Sequence, residues 1–301
     1  MKDKAHKYIL GIETTGAYAS VALRSAATED RSEASEEMAK IDVVHGNDRF
    51  SHLQNLTPQI KEVLDRNGLK VADLDAIAVS HGPGSFTGIR IGVSTGRALS
   101  QATGVPCVAV SSLEALAMRG AEFIDAVTCA MKGRGEMEEG RSGEAADDDC
   151  SEEDFEVLFC PILDARRKQV YGGGYRLVLR PDTNDVVPEE VLPAGPYLIG
   201  EFLEKIDEIN GRSEYERIFF LGDGIDTCGE EIRAWAYEDN KWVAFAEEKA
   251  RYQDASTVVQ RAAQLLEEGK GCEYMKLEPE YMRMAEAERK LRQKQAAGKQ
   301  T

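Results

Sequence analysis

No two cysteines or histidines in the chain stand at a metal-ligand spacing. The six cysteines, Cys107, Cys129, Cys150, Cys160, Cys228 and Cys272, are scattered and form no CxxC. That excludes a zinc ribbon and a thioredoxin-type motif, and reads as reduced structural thiols of a cytoplasmic protein. The four histidines, His6, His45, His52 and His81, are isolated, and no HxxxH occurs, which excludes a zinc site on one helix face. No Ser/His/Asp order suggestive of a hydrolase emerges. Apolar runs stay well short of the ~18 residues of a membrane span. The N-terminal MKDKAHKYILGIETT has a short apolar stretch without a small-residue cleavage site, and reads as a first strand, not a signal peptide. Basic charge is scarce: 37 Lys and Arg face 54 Asp and Glu, for a net −17. Independent nucleic-acid binding, which wants a basic face, is disfavoured.

What is present is organised around residues 79–104, VSHGPGSFTGIRIGVSTGRALSQATG. A β-branched apolar stretch ends at Val79, and a turn with Gly82, Pro83 and Gly84 follows. Ser85 or Thr87 can cap a helix running to Gly104. A strand, a glycine turn and a helix N-terminus together make a candidate anion cradle. Within the helix, Gly88, Gly92, Gly96 and Ser100 recur every four residues. Interior glycine costs roughly 0.5–1 kcal/mol relative to alanine, so this stripe implies close backbone approach, to a helix of a partner or to the same lobe.

Around this centre the chain reads as βββαβαβα, followed by a second α/β half. KYILGIETTGAYASVALR (7–24) gives two strands about a turn, and MAKIDVV (38–44) a third. Leu53, Leu56, Ile60, Val63 and Leu64 put an apolar face on a helix over 51–66, with Pro58 inside it. LDAIAV (74–79) and VPCVAV (105–110) are buried strands, and a helix starts at Ser111. Residues 134–156 hold eleven acids and two bases, and 132–156 reads as an unpatterned acidic insertion. Strands at 157–165, 169–178 and 217–221 and a helix at 254–268 complete the second half. Strand ends bearing acids or glycines (Glu13 and Thr14; Gly82, Gly84 and Ser85; Asp164; Gly222, Asp223 and Gly224) suggest two similar lobes with a nucleotide cleft.

ILGIETTGAYASVAL, SHLQNLTPQI, HGPGSFTGIRIG, GVPCVAVSSLEALA, ILDARRKQVYGGGY, LGDG and LEPEYMR, in that order, resemble the TsaB family. These are the bacterial dimerisation subunits of the tRNA threonylcarbamoyladenosine machinery. The resemblance covers most of 7–131, then 157–180, 218–224 and 254–283. It implies an α/β chain of the ASKHA (actin/Hsp70-like) fold, with two RNase-H-like lobes of mixed sheets flanked by helices. The expected division is a first lobe over 1–110, a second over 111–268 with the acidic insertion, and a tail with a charged helix over 269–301.

The catalytic paralogue of the same pathway, TsaD, shares the fold and the strand ILGIETS. Its metal is held by an HxxxH pair, and the matching positions here are Ser112 and Leu116. Leucine cannot ligate a metal and a lone serine is a poor ligand. The resemblance therefore implies no metal, no catalytic residue, and a scaffold subunit that is not an enzyme by itself. It would pair with a TsaD-type paralogue through the helices 51–66 and 87–103, with Leu53, Leu56, Ile60, Gly88, Gly92, Gly96 and Ser100 at the interface. A small TsaE-type ATPase would join the complex, tRNA would be met only through it, and a homodimer would form when the chain is alone. The complex would act in the cytoplasm, away from membranes, placing threonylcarbamoyl on N6 of the adenosine next to the anticodon. The competing reading is a nucleotide-dependent phosphotransferase or ATPase of the same fold. It would act on its own through Glu13, Thr14, Gly82, Gly84, Ser85, Asp164 and Gly222–Gly224. In it, Glu13 stands where TsaB-like chains more usually carry aspartate.

Overall fold

The computed structural model describes residues 7–26, 39–46, 52–121, 156–180, 185–210, 215, 217–238 and 241–283. The acidic insertion, Glu156 apart, and the expected charged helix beyond residue 283 lie outside the described residues. The chain forms two compact units, one of 1–115 with 253–301 and one of 116–252.

The first unit is built on a five-stranded sheet ordered β3-β2-β1-β4-β5. Its strands are β1 (Tyr8–Glu13), β2 (Ser20–Ser25), β3 (Lys40–His45), β4 (Ala76–Gly82) and β5 (Cys107–Ser111). β1, β2 and β3 form an antiparallel meander, while β4 and β5 run parallel to β1. The two-residue period of the strands sorts the core. Leu10, Ile12, Ile77, Val79 and Cys107 face α1 (His52–Arg66) and α2 (Phe86–Thr103). Ile9, Ala76, Ala78, Val108 and Val110 face α6 (Ala255–Glu267). The second face is floored with alanine and glycine, so α6 lies close: a Cβ on Gly11 would sit 2.4 Å from Val259 Cγ1. Pro58 lies inside α1, on the exposed side.

The expected division of the chain differs from the observed one. The 254–268 helix was expected in the second lobe with the strands that precede it, whereas residues 253–301 group with the first unit. The reason is the stripe Val258, Val259 and Ala262, which matches the small-residue face of the first sheet. Asp254 caps this helix through the Ser256 N–H, and its other oxygen meets His45 Nε2 at 2.6 Å.

The second unit repeats the plan. Its sheet is ordered β10-β9-β6-β7-β8. The strands are β6 (Val157–Asp164), β7 (Gln169–Leu179), β8 (Val186–Leu198), β9 (Arg217–Leu221) and β10 (Val243–Phe245). β6, β7 and β8 are antiparallel, and β9 and β10 parallel to β6. α4 (Ile199–Asn210) and α5 (Gly224–Glu238) cover one face through Phe202, Ile206, Ile225 and Ile232. α3 (Ser112–Ala121) joins the units in sequence. Read from its first strand, each sheet has the same order and the same strand directions.

Candidate functional site

The glycine stripe of α2 faces its own sheet. A Cβ on Gly88 would lie 1.9 Å from the Thr14 carbonyl oxygen, on Gly92 2.5 Å from Thr14 Oγ1, and on Gly96 2.4 Å from Val79 Cγ2. Thr14 Oγ1 donates to the Gly88 carbonyl at 2.7 Å, and Ser100 Oγ donates to the Val105 carbonyl at 2.5 Å. The expectation that Gly88, Gly92, Gly96 and Ser100 line a subunit interface is corrected: all four are buried in the first unit. Leu56 and Ile60 are likewise buried in the core of the first unit. The side chain of Leu53 lies outside the described residues. A periodic stripe marks close approach but carries no sign of what approaches.

The candidate cradle at the start of α2 is filled by the chain's own turn. Ser85 Oγ accepts from the Gly88 N–H at 3.3 Å as the N-cap, and the Ser85 N–H donates to the Thr15 carbonyl at 2.8 Å. Gly84 adopts φ 150°, and a Cβ there would meet the Thr15 oxygen at 2.5 Å. Gly82 is pressed against Glu280, whose N–H donates to the His81 carbonyl at 2.8 Å. Carbonyl oxygens of residues 14 and 15 thus occupy the place where an anion was expected.

Glu13, expected as a cleft carboxylate, is fully buried. Its Oε1 accepts from the Thr15 N–H at 2.5 Å and from Thr15 Oγ1 at 2.6 Å, while Oε2 is buried and meets no hydrogen-bond partner among the described residues. Burial pushes its carboxyl above the ordinary value, against the Thr15 hydrogen bonds. A carboxylate so enclosed braces the turn after β1 and does not present itself to a ligand.

In the second unit Asp164, at the end of β6, is exposed. Its N–H donates to Asp223 Oδ1 at 2.9 Å, and its own Oδ1 accepts from the Arg166 N–H at 2.8 Å. Gly222 (φ 99°) and Gly224 sit against the Ile162 carbonyl. Asp164, Gly222, Asp223 and Gly224 are therefore brought together, but as a turn that binds its own backbone. The hairpin tip beside it is the turn between the strands read at 157–165 and 169–178. Arg166, Arg167 and Lys168 hold φ 64°, 57° and 59°, three left-handed residues in a row.

Ser112 and Leu116 are both fully buried. Ser112 Oγ donates to the Pro83 carbonyl, so its oxygen is committed to fixing the glycine turn. Among the described residues no three His, Cys, Asp or Glu side chains group closely enough to hold a metal ion.

Sequence reading also missed a surface cluster on the first unit. The rings of Phe86 and Tyr281 lie 4.7 Å apart, the Arg90 guanidinium stands 3.9 Å over the Phe86 ring, and Arg90 Nε donates to Tyr281 Oη at 2.9 Å. Phe86 and Tyr281 remain 36% and 38% exposed. Arg97 Nε holds the Leu277 carbonyl at 2.7 Å, fastening the segment that carries Tyr281 along α2. The signal was available in the sequence, since Phe86 and Arg90 share a helix face and Tyr281 lies in LEPEYMR.

Two sheets of one strand order, each a meander continued by two parallel strands with helices packed on it, define the ASKHA-type class. Two solved structures from Pseudomonas aeruginosa have this fold. One is described as an uncharacterized protein with similarity to peptidase YeaZ (TM-score 0.57, 20% identity, covering 92% of this chain and 100% of that one). The other is described as YeaZ (TM-score 0.53, 22% identity, 91% and 99%). The family model of TsaD, tRNA N6-adenosine threonylcarbamoyltransferase, matches residues 49–136, the stretch from α1 through α3. The tRNA threonylcarbamoyladenosine biosynthesis protein TsaB of Bacillus subtilis is 30% identical over 158 residues, 52% of each chain. The tRNA N6-adenosine threonylcarbamoyltransferase of Agrobacterium fabrum is 41% identical over 68 residues, 23% of this chain and 19% of that one. The matched part thus spans about half the length of the first relative and about a fifth of the second. Over about half its length the chain is similar to TsaB. No helix among the described residues is long and apolar enough to cross a membrane.

Proposed function

We propose that the chain is a non-catalytic subunit of tRNA threonylcarbamoyladenosine synthesis that binds a TsaD-type catalytic paralogue. The observation that carries this reading is the state of Ser112 and Leu116. The positions that the resemblance matches to the paralogue's metal-binding histidines hold a buried hydroxyl committed to Pro83 and a buried leucine. The TsaB likeness, which extends beyond the segment shared with TsaD, supports it. With the glycine stripe turned inward, the docking face we assign is the outer side of α2, around Phe86, Arg90 and Tyr281. Exposed aromatics braced by arginine are the residue types that dominate protein interfaces. A TsaE-type ATPase and tRNA would join through the complex, and a homodimer would use the same face.

Light scattering after gel filtration tests this, on the chain alone and mixed with the TsaD-type protein of the same source. A one-to-one complex is expected, lost in Phe86→Ala and Arg90→Glu while each variant keeps its thermal transition. Absence of a complex at micromolar concentrations overturns the partner assignment. A complex indifferent to both substitutions overturns the face.

A further inference from the structure

We propose that Cys107 and Cys272 are a disulfide-forming pair that staples the C-terminal strap of the first unit to β5 under oxidising conditions. The two residues exchange both backbone hydrogen bonds, each N–H donating to the other's carbonyl at 2.8 Å, as an isolated antiparallel bridge. Residues related in this way stand directly opposite, with Cα atoms roughly 5.5 Å apart and side chains on one face. Cys107 sits in the core beneath α2, and Cys272 packs against that same cluster. Both carry free thiols.

The geometry suits a bond that is made and broken. A Cα separation of that size lies inside the disulfide range of about 4.4–6.8 Å. In a hydrogen-bonded pair such as this one the Cβ atoms stand toward the wide end of roughly 4.5–5.5 Å, whereas a relaxed disulfide wants about 3.8 Å. Closing that gap strains the bridge, and strained disulfides are the more readily reduced ones. Cys272 is partly exposed and Cys107 is buried, which sets the order of steps. The Cys272 thiolate attacks a small disulfide such as oxidised glutathione, forming a mixed disulfide and releasing one glutathione thiol. The Cys107 thiolate then displaces the second glutathione thiol. Two protein thiols lose two protons and two electrons, and one glutathione disulfide becomes two thiols. Burial raises both thiols above the ordinary cysteine value, so the reaction runs faster as pH rises.

The bond would fix the start of a strap that is otherwise held by hydrogen bonds. Beyond Cys272, Leu277 is buried in the core, Glu280 pairs with His81, and Tyr281 meets Arg90. The other described cysteines, Cys160 and Cys228, are buried in the second unit, and Cys129 and Cys150 lie outside the described residues.

The full chain is incubated with oxidised glutathione at mildly alkaline pH, its remaining thiols are alkylated, and it is digested without reduction for mass spectrometry. The expected result is a linked peptide pair containing Cys107 and Cys272, two hydrogen atoms lighter than the two free-thiol peptides together and separated by dithiothreitol. Cys272→Ser and Cys272→Ala should lose the linked pair, and Cys160→Ser should keep it. Because position 272 is partly exposed, these variants test the pair without emptying the core, and an unchanged thermal transition verifies that they fold. Glutathione remaining on Cys272 as a stable adduct, linkage of either residue to Cys129 or Cys150 in preference, or absence of the linked pair would each overturn the pairing.

Discussion

The two units share one topology and treat the acid at its centre differently. In each, the first strand ends on an acid and the fourth runs through a positive-φ glycine into a helix: Glu13 and Gly82 in one, Asp164 and Gly222 in the other. The first unit joins the two strand ends by removing side chains. Gly84, Gly88 and Gly92 let the turn at Thr14–Thr15 lie on the helix backbone, and the acid is sealed beneath it. The second unit also sets glycines against backbone, Gly222 and Gly224 on the Ile162 carbonyl, but adds a side chain, Asp223 reaching the Asp164 N–H, and leaves its acid exposed. Both junctions are therefore tight at the glycines, and they differ in whether the strand-end acid is sealed or left in solvent. A shared fold does not carry a shared site: the same pair of strand ends yields a sealed core in one place and a hydrated turn in the other.

The sharpest way to break this comparison is to add a methyl group to each second helix. Gly88→Ala in α2 would set its Cβ 1.9 Å from a backbone oxygen. That neighbour cannot swing aside, and we expect a loss of about 3 kcal/mol or more. Gly229→Ala in α5 meets nothing nearer than Arg233 Nη1 at 3.3 Å, the end of a flexible side chain. It should gain roughly 0.5–1 kcal/mol from helix propensity. Thermal unfolding of the two variants measures the contrast. Equal effects would mean that Gly88 is no more tightly seated than Gly229.

The buried acid gives the next largest effect. Glu13→Ala leaves the Thr15 N–H and hydroxyl without their acceptor and opens a cavity, a loss of about 2–4 kcal/mol. Glu13→Gln keeps an acceptor for Thr15 and removes the buried charge. Because burial raises the carboxyl in the folded state, its stabilising contribution is complete only below the unfolded value of 4.5. That contribution is lost as pH climbs toward the folded value. Stability of the native chain should fall across that window, and Glu13→Gln should flatten that part of the profile and be the more stable protein at neutral pH. Denaturant melts between pH 4 and pH 8 decide it. A Gln variant with the native slope would show that Glu13 is not the titrating group.

Much of the fold was readable because its signals are local. The alternation in ILGIE and LDAIAV sets two-sided strands, the Leu53 to Leu64 period sets α1, and Ser85 and Gly104 mark the ends of α2. The interface was misread for a physical reason. A row of small residues reports that something approaches closely, and the approaching group, Thr14, is 74 residues away in sequence from Gly88. The same distance problem hid the place of α6, whose partner sheet is drawn from residues 8–111, and the union of Phe86 with Tyr281. The Glu13 environment was hidden too, since a strand-end acid looks the same in sequence whether it is solvated like Asp164 or sealed.

On the polar side of the comparison, Asp223→Ala removes the acceptor for the Asp164 N–H. An exposed hydrogen bond of this kind is worth about 1 kcal/mol, and the junction can recruit water in its place. Faster amide exchange at Asp164 should accompany the change. A loss as large as that of Glu13→Ala would make the second junction as rigid as the first.

The smallest effect concerns the hairpin tip next to that junction. Left-handed backbone costs an ordinary residue roughly 1–2 kcal/mol, and Arg166, Arg167 and Lys168 all adopt it. The turn is held by the Ala165 N–H on the Gln169 carbonyl at 3.0 Å and by Asp164 Oδ1 on the Arg166 N–H at 2.8 Å. Arg167→Gly relieves one residue of strain but frees the unfolded chain, so the net gain should be about 0.5 kcal/mol, read as a small rise in melting temperature. A fall instead would mean that the arginine side chain contributes more than its backbone costs. A rise in stability joined to loss of tRNA modification by the reconstituted complex would mark the basic turn as a segment kept strained for its function.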